Sequence, residues 1–234
     1  MRRFKQYTIE QIEIFLDKYE FKRQIYEIHF HHTWKPTKKD YLQAEDKEKI
    51  ILGMWKYHTE VRRFTDIAQH FTVAPDGTIW DGRDLEKSPA SIYGRNNGAI
   101  SIEHIGNFDE EKLEGIQLEA SIRLIAAIIK NIKNKQGRVP TLVFHREYSD
   151  KTCPGLLVDK GEILKLVNER LKYYDMPFKD VTPDMWSYEY IKRAAELGLI
   201  KGDGEGNFKP KDYLTREQGV ALIMRLYDLL KGED

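Results

Sequence analysis

The chain contains a single cysteine, Cys153, and this residue most constrains how the protein can fold. One thiol cannot form an internal disulfide, so stability has to come from a hydrophobic core. With 234 residues, of which 41% are hydrophobic, the chain can bury the core of one medium domain and a small one. The thiol is left free for metal or redox chemistry.

His145 stands eight residues before the cysteine, in the stretch HREYSDKTCPG. Zinc favours thiolate and imidazole ligands, and a catalytic zinc site keeps three protein ligands and one open position. We therefore interpret His145 and Cys153 as candidate ligands of one zinc ion. A histidine taken alone is more often a surface or core residue, so this interpretation needs a third ligand.

Charge and hydropathy exclude some partners. The 38 basic and 38 acidic side chains cancel, so no whole-chain field draws the protein to nucleic acid or anionic lipid. No stretch is apolar enough for a signal-peptide core or a membrane span. These patterns predict a soluble protein with no nucleic-acid partner and no membrane insertion, held in the cytoplasm unless something releases it.

Hydrophobic periodicity predicts strands interleaved with helices. Helical spacing of apolar residues indicates helices at 8–19, 46–58, 110–135 and 160–173. Alternation or short apolar runs indicate strands at 24–31, 99–106 and 141–145, and a turn at 75–77 indicates a hairpin at 69–80. A long loop follows at 81–98. The pattern predicts an α/β fold with a mixed central β-sheet flanked by helices.

Polar side chains stand in or at the ends of the predicted strands. His31 ends the first strand, and His145 ends the short apolar strand before the cysteine. Glu103 lies in the segment AISIEHIG, where burial without a partner would raise its pKa and suit it to proton transfer. A structural ion pair is the alternative for this carboxylate.

The last part of the chain predicts a small all-α domain. From Phe178 onward it has the pattern helix, glycine-rich loop, helix, and Thr215 with Gln218 forms a capping box for the second helix. The loop DGEGN is not a calcium-binding EF-hand, because Leu214 stands where a bidentate glutamate is needed. We predict domains at 1–174 and 175–234.

Four motifs in order resemble the zinc-dependent N-acetylmuramoyl-L-alanine amidases. They are HHTW at 31–34, HFTVAPDGTIWDGRD at 70–84, NNGAISIEHIGNFD at 96–109 and HREYSDKTCPG at 145–155. This family shares its fold with peptidoglycan recognition proteins and several phage endolysins. The resemblance implies a peptidoglycan hydrolase that cuts the amide between N-acetylmuramic acid and L-alanine of the stem peptide.

The resemblance also implies the members of the site. His31, His145 and Cys153 match the family's zinc ligands, and Lys151 matches a lysine that stabilises the developing oxyanion. Gln69 stands where many relatives have a catalytic tyrosine, and an amide cannot act as an acid or base near neutral pH. Other members use a glutamate at the position of Glu103, which we therefore expect to be the general base. Candidate substrate-binding residues are Thr33, Trp34, His58, Asn96 and Asn97.

The C-terminal segment resembles a single S-layer homology (SLH) motif, from FKDV at 178–181 to TRE at 215–217. The resemblance implies binding to secondary cell-wall polysaccharide. Because that family commonly carries three motifs together, a dimer, weak anchoring and a purely structural cap all stay open here. The sequence does not decide the oligomeric state.

The leading interpretation is a cell-wall hydrolase with a wall-binding tail, resembling a phage or prophage endolysin that stays in the host cytoplasm until release. The alternatives are a secreted host autolysin and a peptidoglycan-binding protein without activity. Non-catalytic relatives typically lack the cysteine, so the complete set of His31, His145 and Cys153 favours the enzyme. A third possibility is that these three are only core residues.

Overall fold

The computed structural model describes residues 3–232. The chain divides into two compact units, the first ending at Asn168 and the second beginning at Glu169. Helix α5, Lys160–Asp175, spans this division. Among the described residues, no helix has the length and apolar character needed to cross a bilayer.

The first unit contains six strands and the helices around them. Its strands are β1 Gln6–Tyr7, β2 Glu27–His32, β3 Phe71–Val73, β4 Ile79–Asp81, β5 Ala99–His104 and β6 Thr141–Phe144. Its helices before α5 are α1 Ile9–Lys18, α2 Lys38–Gln43, α3 Lys47–Lys56 and α4 Gly115–Gln136. The α/β class and the mixed sheet flanked by helices are therefore confirmed.

The strands form one sheet in the order β1-β4-β3-β5-β2-β6. Strand β2 pairs in parallel with β5 and β6, whereas β4 pairs antiparallel with β3 and β1. In this register His31 lies opposite Glu103, and Phe30 lies opposite Phe144. Because parallel strands run in the same direction, the carboxyl ends of β2, β5 and β6 meet at one edge.

Helix α4 supplies the buried support behind the sheet. Twelve of its residues are buried, among them Ile125, Ile128 and Ile132, and a left-handed Gly137 ends it. Its Arg123 forms ion pairs with Glu10 and Glu13 of α1. The helix begins five residues later than the periodicity predicts, because the segment at 107–114 forms a turn at 108–110 followed by irregular backbone.

Short elements differ from the prediction. Strand β1 has two residues and helix α2 has six, too few for a hydrophobic period to be recognised. Helix α3 ends at Lys56 and continues as a π-helical turn at Tyr57–Val61. The predicted hairpin is confirmed as β3 and β4.

The second unit contains α6 Tyr188–Glu196 and α7 Arg216–Lys231. The predicted capping box of Thr215 and Gln218 is present at the start of α7. A small core supports the unit, formed by Met176, Phe178, Val181, Tyr188 and Ile191. The small all-α C-terminal region is therefore confirmed, and α7 itself contains no buried residue.

Candidate metal centre and adjoining cavity

Three candidate metal ligands converge at the edge where the parallel strands end. His31 lies in β2, His145 opens a 3-10 turn directly after β6, and Cys153 lies in the following loop. The Cys153 Sγ lies 3.4 Å from His31 Nδ1, and the two imidazole rings are 4.8 Å apart between centroids. Ligand atoms of the three residues all lie within 4.8 Å of one another.

Backbone contacts hold the cysteine loop in place. The Arg146 N–H donates to the Cys153 carbonyl at 2.7 Å, and the Arg146 guanidinium donates to the carbonyls of Gly155 and Val158. Gly155 has a φ of +115°, and a Cβ there would lie 2.4 Å from the Phe108 backbone. Only glycine therefore lets this loop approach Phe108 so closely.

A second contact fixes the loop from the other side. The Asp109 carboxylate accepts hydrogen bonds from the Thr152 hydroxyl at 2.7 Å and from the Leu156 N–H at 2.8 Å. Asp109 belongs to the NNGAISIEHIGNFD motif and Thr152 to the HREYSDKTCPG motif. Two motifs that are far apart in sequence thus cooperate in positioning Cys153.

The three side chains suit a zinc ion. Among the described residues, His31 Nε2 is buried with no hydrogen-bond partner. Burial lowers the pKa of His31 well below its usual value, lowers that of His145 to about 4 and raises that of the Cys153 thiol to about 12. Neutral imidazoles are ready ligands, and a cation would stabilise the buried thiolate. Two nitrogens and one sulfur match the preference of zinc.

A cavity of about 440 Å³ opens over this cluster. Its lining includes all three candidate ligands together with Glu103 and Lys151. A neighbouring cavity of about 380 Å³ shares Thr33, Tyr57, His58 and Glu103 with it. The two spaces can therefore accommodate an extended ligand across the end of the sheet.

Strand register places Glu103 of β5 opposite the candidate ligand His31 of β2. Burial raises the pKa of Glu103 to about 8, and the charge of Lys151 opposes this rise. A carboxyl group with a pKa near neutral can both accept and donate a proton. The raised pKa expected from the sequence agrees with this environment.

The predicted substrate-binding residues lie in different places. Thr33, Trp34 and His58 line the cavity, whereas Asn96 and Asn97 are not among the residues that line it. The Asn96 Oδ1 accepts hydrogen bonds from the N–H groups of Ser91 and Ile92, which holds its own loop. Asn97 is exposed beside it.

Gln69 is also not among the residues that line the cavity. Its side chain is fully buried, and its Nε2 donates to the Thr72 hydroxyl at 2.9 Å. The residue is thus buried beside Thr72. Of the two carboxylates that line the cavity, Asp109 already accepts hydrogen bonds from Thr152 and Leu156, and Glu103 is the other.

Several lining residues were not anticipated from the sequence. They are Tyr57, Arg62, Phe64, Ala68, Ala90, Ser91, Ser101, Asp109 and Thr152. The π-helical turn carries Tyr57, and the long loop carries Ala90 and Ser91. The only available signal was the length of that loop, because long ordered loops often border sites.

The fold and site define an α/β protein with a candidate three-ligand metal centre at the edge of a mixed sheet. Residues 21–156, more than half of the chain, match the profile of the N-acetylmuramoyl-L-alanine amidase family. The protein belongs to this family. Residues 177–218 match the S-layer homology domain, so both resemblances found in the sequence are confirmed.

Known proteins resemble parts of the chain. Peptidoglycan-recognition protein SD of Drosophila melanogaster is 29% identical over 103 residues, which are 44% of this chain and 54% of that protein. The structure of a Drosophila PGRP-LB mutant in complex with tracheal cytotoxin is 25% identical, with a TM-score of 0.51, covering 60% of this chain and 80% of that one. The endolysin amidase LysCS of Clostridium intestinale is 25% identical, with a TM-score of 0.48, covering 62% and 85%.

Another relative shares only a short stretch. Exoglucanase XynX of Acetivibrio thermocellus is 40% identical over 68 residues, which are 29% of this chain and 6% of that enzyme. The chain thus spans about half or less of the length of these curated relatives. The comparisons thus give the first unit its family and its fold.

Proposed function

We propose that the first unit is a zinc-dependent amidase that cuts the bond between N-acetylmuramic acid and L-alanine of the peptidoglycan stem. The observation that carries this proposal is the cluster of His31, His145 and Cys153 in a cavity that also holds Glu103 and Lys151. Family membership supplies the substrate class.

The residues of the site have different roles in the proposed hydrolysis. His31, His145 and Cys153 would hold the zinc ion, which would supply a Lewis acid and a water molecule with a pKa of ~7. Glu103 accepts the proton of the attacking water and passes it to the leaving amine. The Lys151 ammonium stabilises the negative charge that develops on the carbonyl oxygen. Thr33, Trp34 and His58 contact the substrate along the cavity wall.

A second candidate function is peptidoglycan binding without hydrolysis. The solved PGRP-LB mutant that shares this fold is bound to tracheal cytotoxin, which supports ligand binding by the same framework. The complete set of donors favours the enzyme, because binding alone needs no cluster of two imidazoles and a thiol. We propose hydrolysis as the activity and binding as its first step.

We further propose that residues 1–174 form the catalytic domain and residues 175–234 a wall-binding domain. The match of residues 177–218 to the S-layer homology domain supports this division. Secondary cell-wall polysaccharide is the proposed ligand of the second unit, and the bacterial cell wall is the proposed site of action. Binding to purified walls before and after chemical removal of this polymer tests the assignment.

The catalytic proposal is tested by digesting purified peptidoglycan and analysing the products by mass spectrometry. We expect free stem peptides, whereas new reducing sugar ends would identify a glycosidase and contradict the proposal. Cys153→Ala should lose bound zinc and activity together. Glu103→Gln should keep its zinc and lose activity by about 10²- to 10⁴-fold, because one proton-transfer group is removed.

A matched control tests whether the loss of a carboxylate charge lowers activity wherever on the protein it occurs. Glu119→Gln makes the same chemical change on the surface of α4, where the side chain is 66% exposed. We expect this variant to digest peptidoglycan at the wild-type rate. Release of stem peptides at the wild-type rate by Glu103→Gln would remove Glu103 from the mechanism.

A further inference from the structure

A line of hydrogen-bonded side chains runs through the first unit to the cavity wall. Arg95 forms an ion pair with Glu27, and Glu27 Oε2 lies 2.9 Å from His29 Nε2. The other ring nitrogen, His29 Nδ1, lies 2.7 Å from the Ser91 hydroxyl. His29 is completely buried, whereas Ser91 lines the cavity that contains the candidate metal ligands. The line therefore ends on the cavity wall.

The chemistry of these groups places the hydrogens. Glu27 is paired with Arg95, and a carboxylate only accepts hydrogen bonds, so His29 Nε2 carries the hydrogen that faces it. In the neutral ring Nδ1 is then an acceptor, and the Ser91 hydroxyl donates to it. The other polar atom beside this hydroxyl, Asn96 Oδ1 at 3.2 Å, is also an acceptor.

The Ser91 hydrogen is therefore directed into the protein, whichever acceptor takes it. What the hydroxyl retains for the cavity is a lone pair on its oxygen. The loop does not depend on this hydroxyl for its shape, because Asn96 Oδ1 already accepts the N–H groups of Ser91 and Ile92. The inward direction of the hydrogen therefore leaves the oxygen lone pair available to a ligand in the cavity.

A second hydroxyl lies beside the first. Ser101 pairs with His29 across β5 and β2, and it lines the same cavity. Its buried Oγ has no hydrogen-bond partner among the described residues. An unpaired buried hydroxyl costs free energy, and a polar ligand group would relieve that cost. Two serines beside His29 thus form a polar strip on the cavity wall.

We propose that Ser91 is a substrate-binding residue that accepts a hydrogen bond from an N–H or O–H group of the peptidoglycan fragment. His29 Nδ1 and Asn96 Oδ1 are the two acceptors that keep the serine hydrogen turned inward. The inference rests on the proposed function for its substrate class. It adds a point of recognition on the loop side of the cavity, separate from Lys151 and the three candidate ligands.

The test compares ligand binding by Ser91→Ala, Ser91→Thr and the wild type, each in the Glu103→Gln background so that the ligand stays intact. Isothermal titration uses three probes: N-acetylmuramic acid, the free stem peptide and the intact muropeptide. We expect Ser91→Ala to bind the intact muropeptide about 2- to 10-fold more weakly, the effect of one neutral hydrogen bond. Ser91→Thr retains the hydroxyl and should bind like the parent.

The separate probes identify the donor. A loss confined to the stem peptide assigns an amide N–H, and a loss confined to the sugar assigns a hydroxyl or the acetamido N–H. Ser88→Ala, an exposed serine on the same loop outside the cavity lining, is the matched control. Unchanged affinity of Ser91→Ala for all three probes, with or without a lower melting temperature, would overturn the proposal.

A second experiment changes the ligand and compares the same two proteins. Stem peptides methylated at one amide nitrogen at a time, and sugars lacking one hydroxyl at a time, are titrated into the protein with Ser91 intact and into Ser91→Ala. The proposal requires one modification that weakens binding to the former and has no effect on the latter. Failure of the amidase assay alone would reject the catalytic proposal and leave this subsite standing, because binding is measured without turnover.

Discussion

At the scale of single residues, the buried histidines differ in where their ring nitrogens point. His104 donates from Nδ1 to the His31 carbonyl at 2.8 Å and lies 2.7 Å from the Ser121 hydroxyl at Nε2. His70 is satisfied on both sides in a similar way. His31 alone of these three has a buried nitrogen without a partner. A buried ring nitrogen without a hydrogen-bond partner, rather than burial itself, distinguishes the candidate ligand His31 from the core histidines.

His70 gives a prediction about acid stability. Its Nδ1 accepts the Ser101 N–H at 2.9 Å and its Nε2 lies 2.9 Å from the Lys87 carbonyl, while burial lowers its pKa from 6.5 to about 3. At a pH between these two pKa values, the His70 imidazole binds a proton in the unfolded chain and stays neutral in the folded protein. The stability contribution of His70 is therefore complete above pH ~6.5 and is lost as the pH falls, by ~1.4 kcal/mol per pH unit.

Urea unfolding of chelator-treated protein at several pH values between about 4 and 7 measures this slope. His70→Gln removes the titrating group. The slope of unfolding free energy against pH should therefore fall by the contribution of one proton, ~1.4 kcal/mol per pH unit. An identical slope in the variant and the wild type would show that His70 does not titrate on unfolding.

At the scale of elements, the cysteine loop depends on one close approach. Gly155 and Gly94 both have positive φ values, +115° and +78°. A Cβ at Gly155 would collide with the Phe108 backbone, whereas a Cβ at Gly94 would have nothing within 4 Å. The two glycines thus separate the cost of backbone conformation from the cost of collision.

We expect Gly94→Ala to lower the free energy of unfolding by ~1–2 kcal/mol, the cost of a left-handed non-glycine residue. Gly155→Ala should lower it further and also weaken zinc binding, because the loop that carries Cys153 must move. Urea unfolding and competition with a zinc indicator measure the two effects. Equal zinc affinity in both variants would mean that the approach to Phe108 does not position the cysteine.

Elements with long hydrophobic periods were predictable from the sequence. Helix α4 and strand β5 follow from apolar spacing alone, and the hairpin of β3 and β4 follows from its turn. Helix α2 and the π-helical turn after α3 were missed, because short segments hold too few residues to show a period. One of these missed segments, the π-helical turn, contributes Tyr57 and His58 to the cavity.

At the scale of the whole molecule, the two units have separate cores, and the candidate ligands all belong to the first unit. A metal that binds only the folded state stabilises it by mass action. Removing the metal should therefore lower the melting temperature of the first unit alone. Differential scanning calorimetry with and without a chelator should show one transition that shifts and one that does not.

Restoring zinc in excess should return the shifted transition, and Cys153→Ala should show the low value under both conditions. A shift of both transitions would indicate that the units unfold together. No shift in either would indicate that the three side chains bind no metal. The origin of the protein from a phage or prophage stays a prediction.

The sequence by itself determined the family, the candidate ligands His31, His145 and Cys153, and the alternation that places Glu103 in a strand. Motifs and periods are local properties, so a local pattern is enough to recognise them. Only the tertiary structure decided that His31 lies opposite Glu103 and beside Cys153, which is 122 residues away. It also decided that the Asn96 side chain accepts a hydrogen bond from the Ser91 N–H of its own loop, and that the Ser91 hydroxyl lies 2.7 Å from His29 Nδ1. Strand order and the hydrogen-bond partners of a polar side chain come from distant segments, which no local pattern encodes.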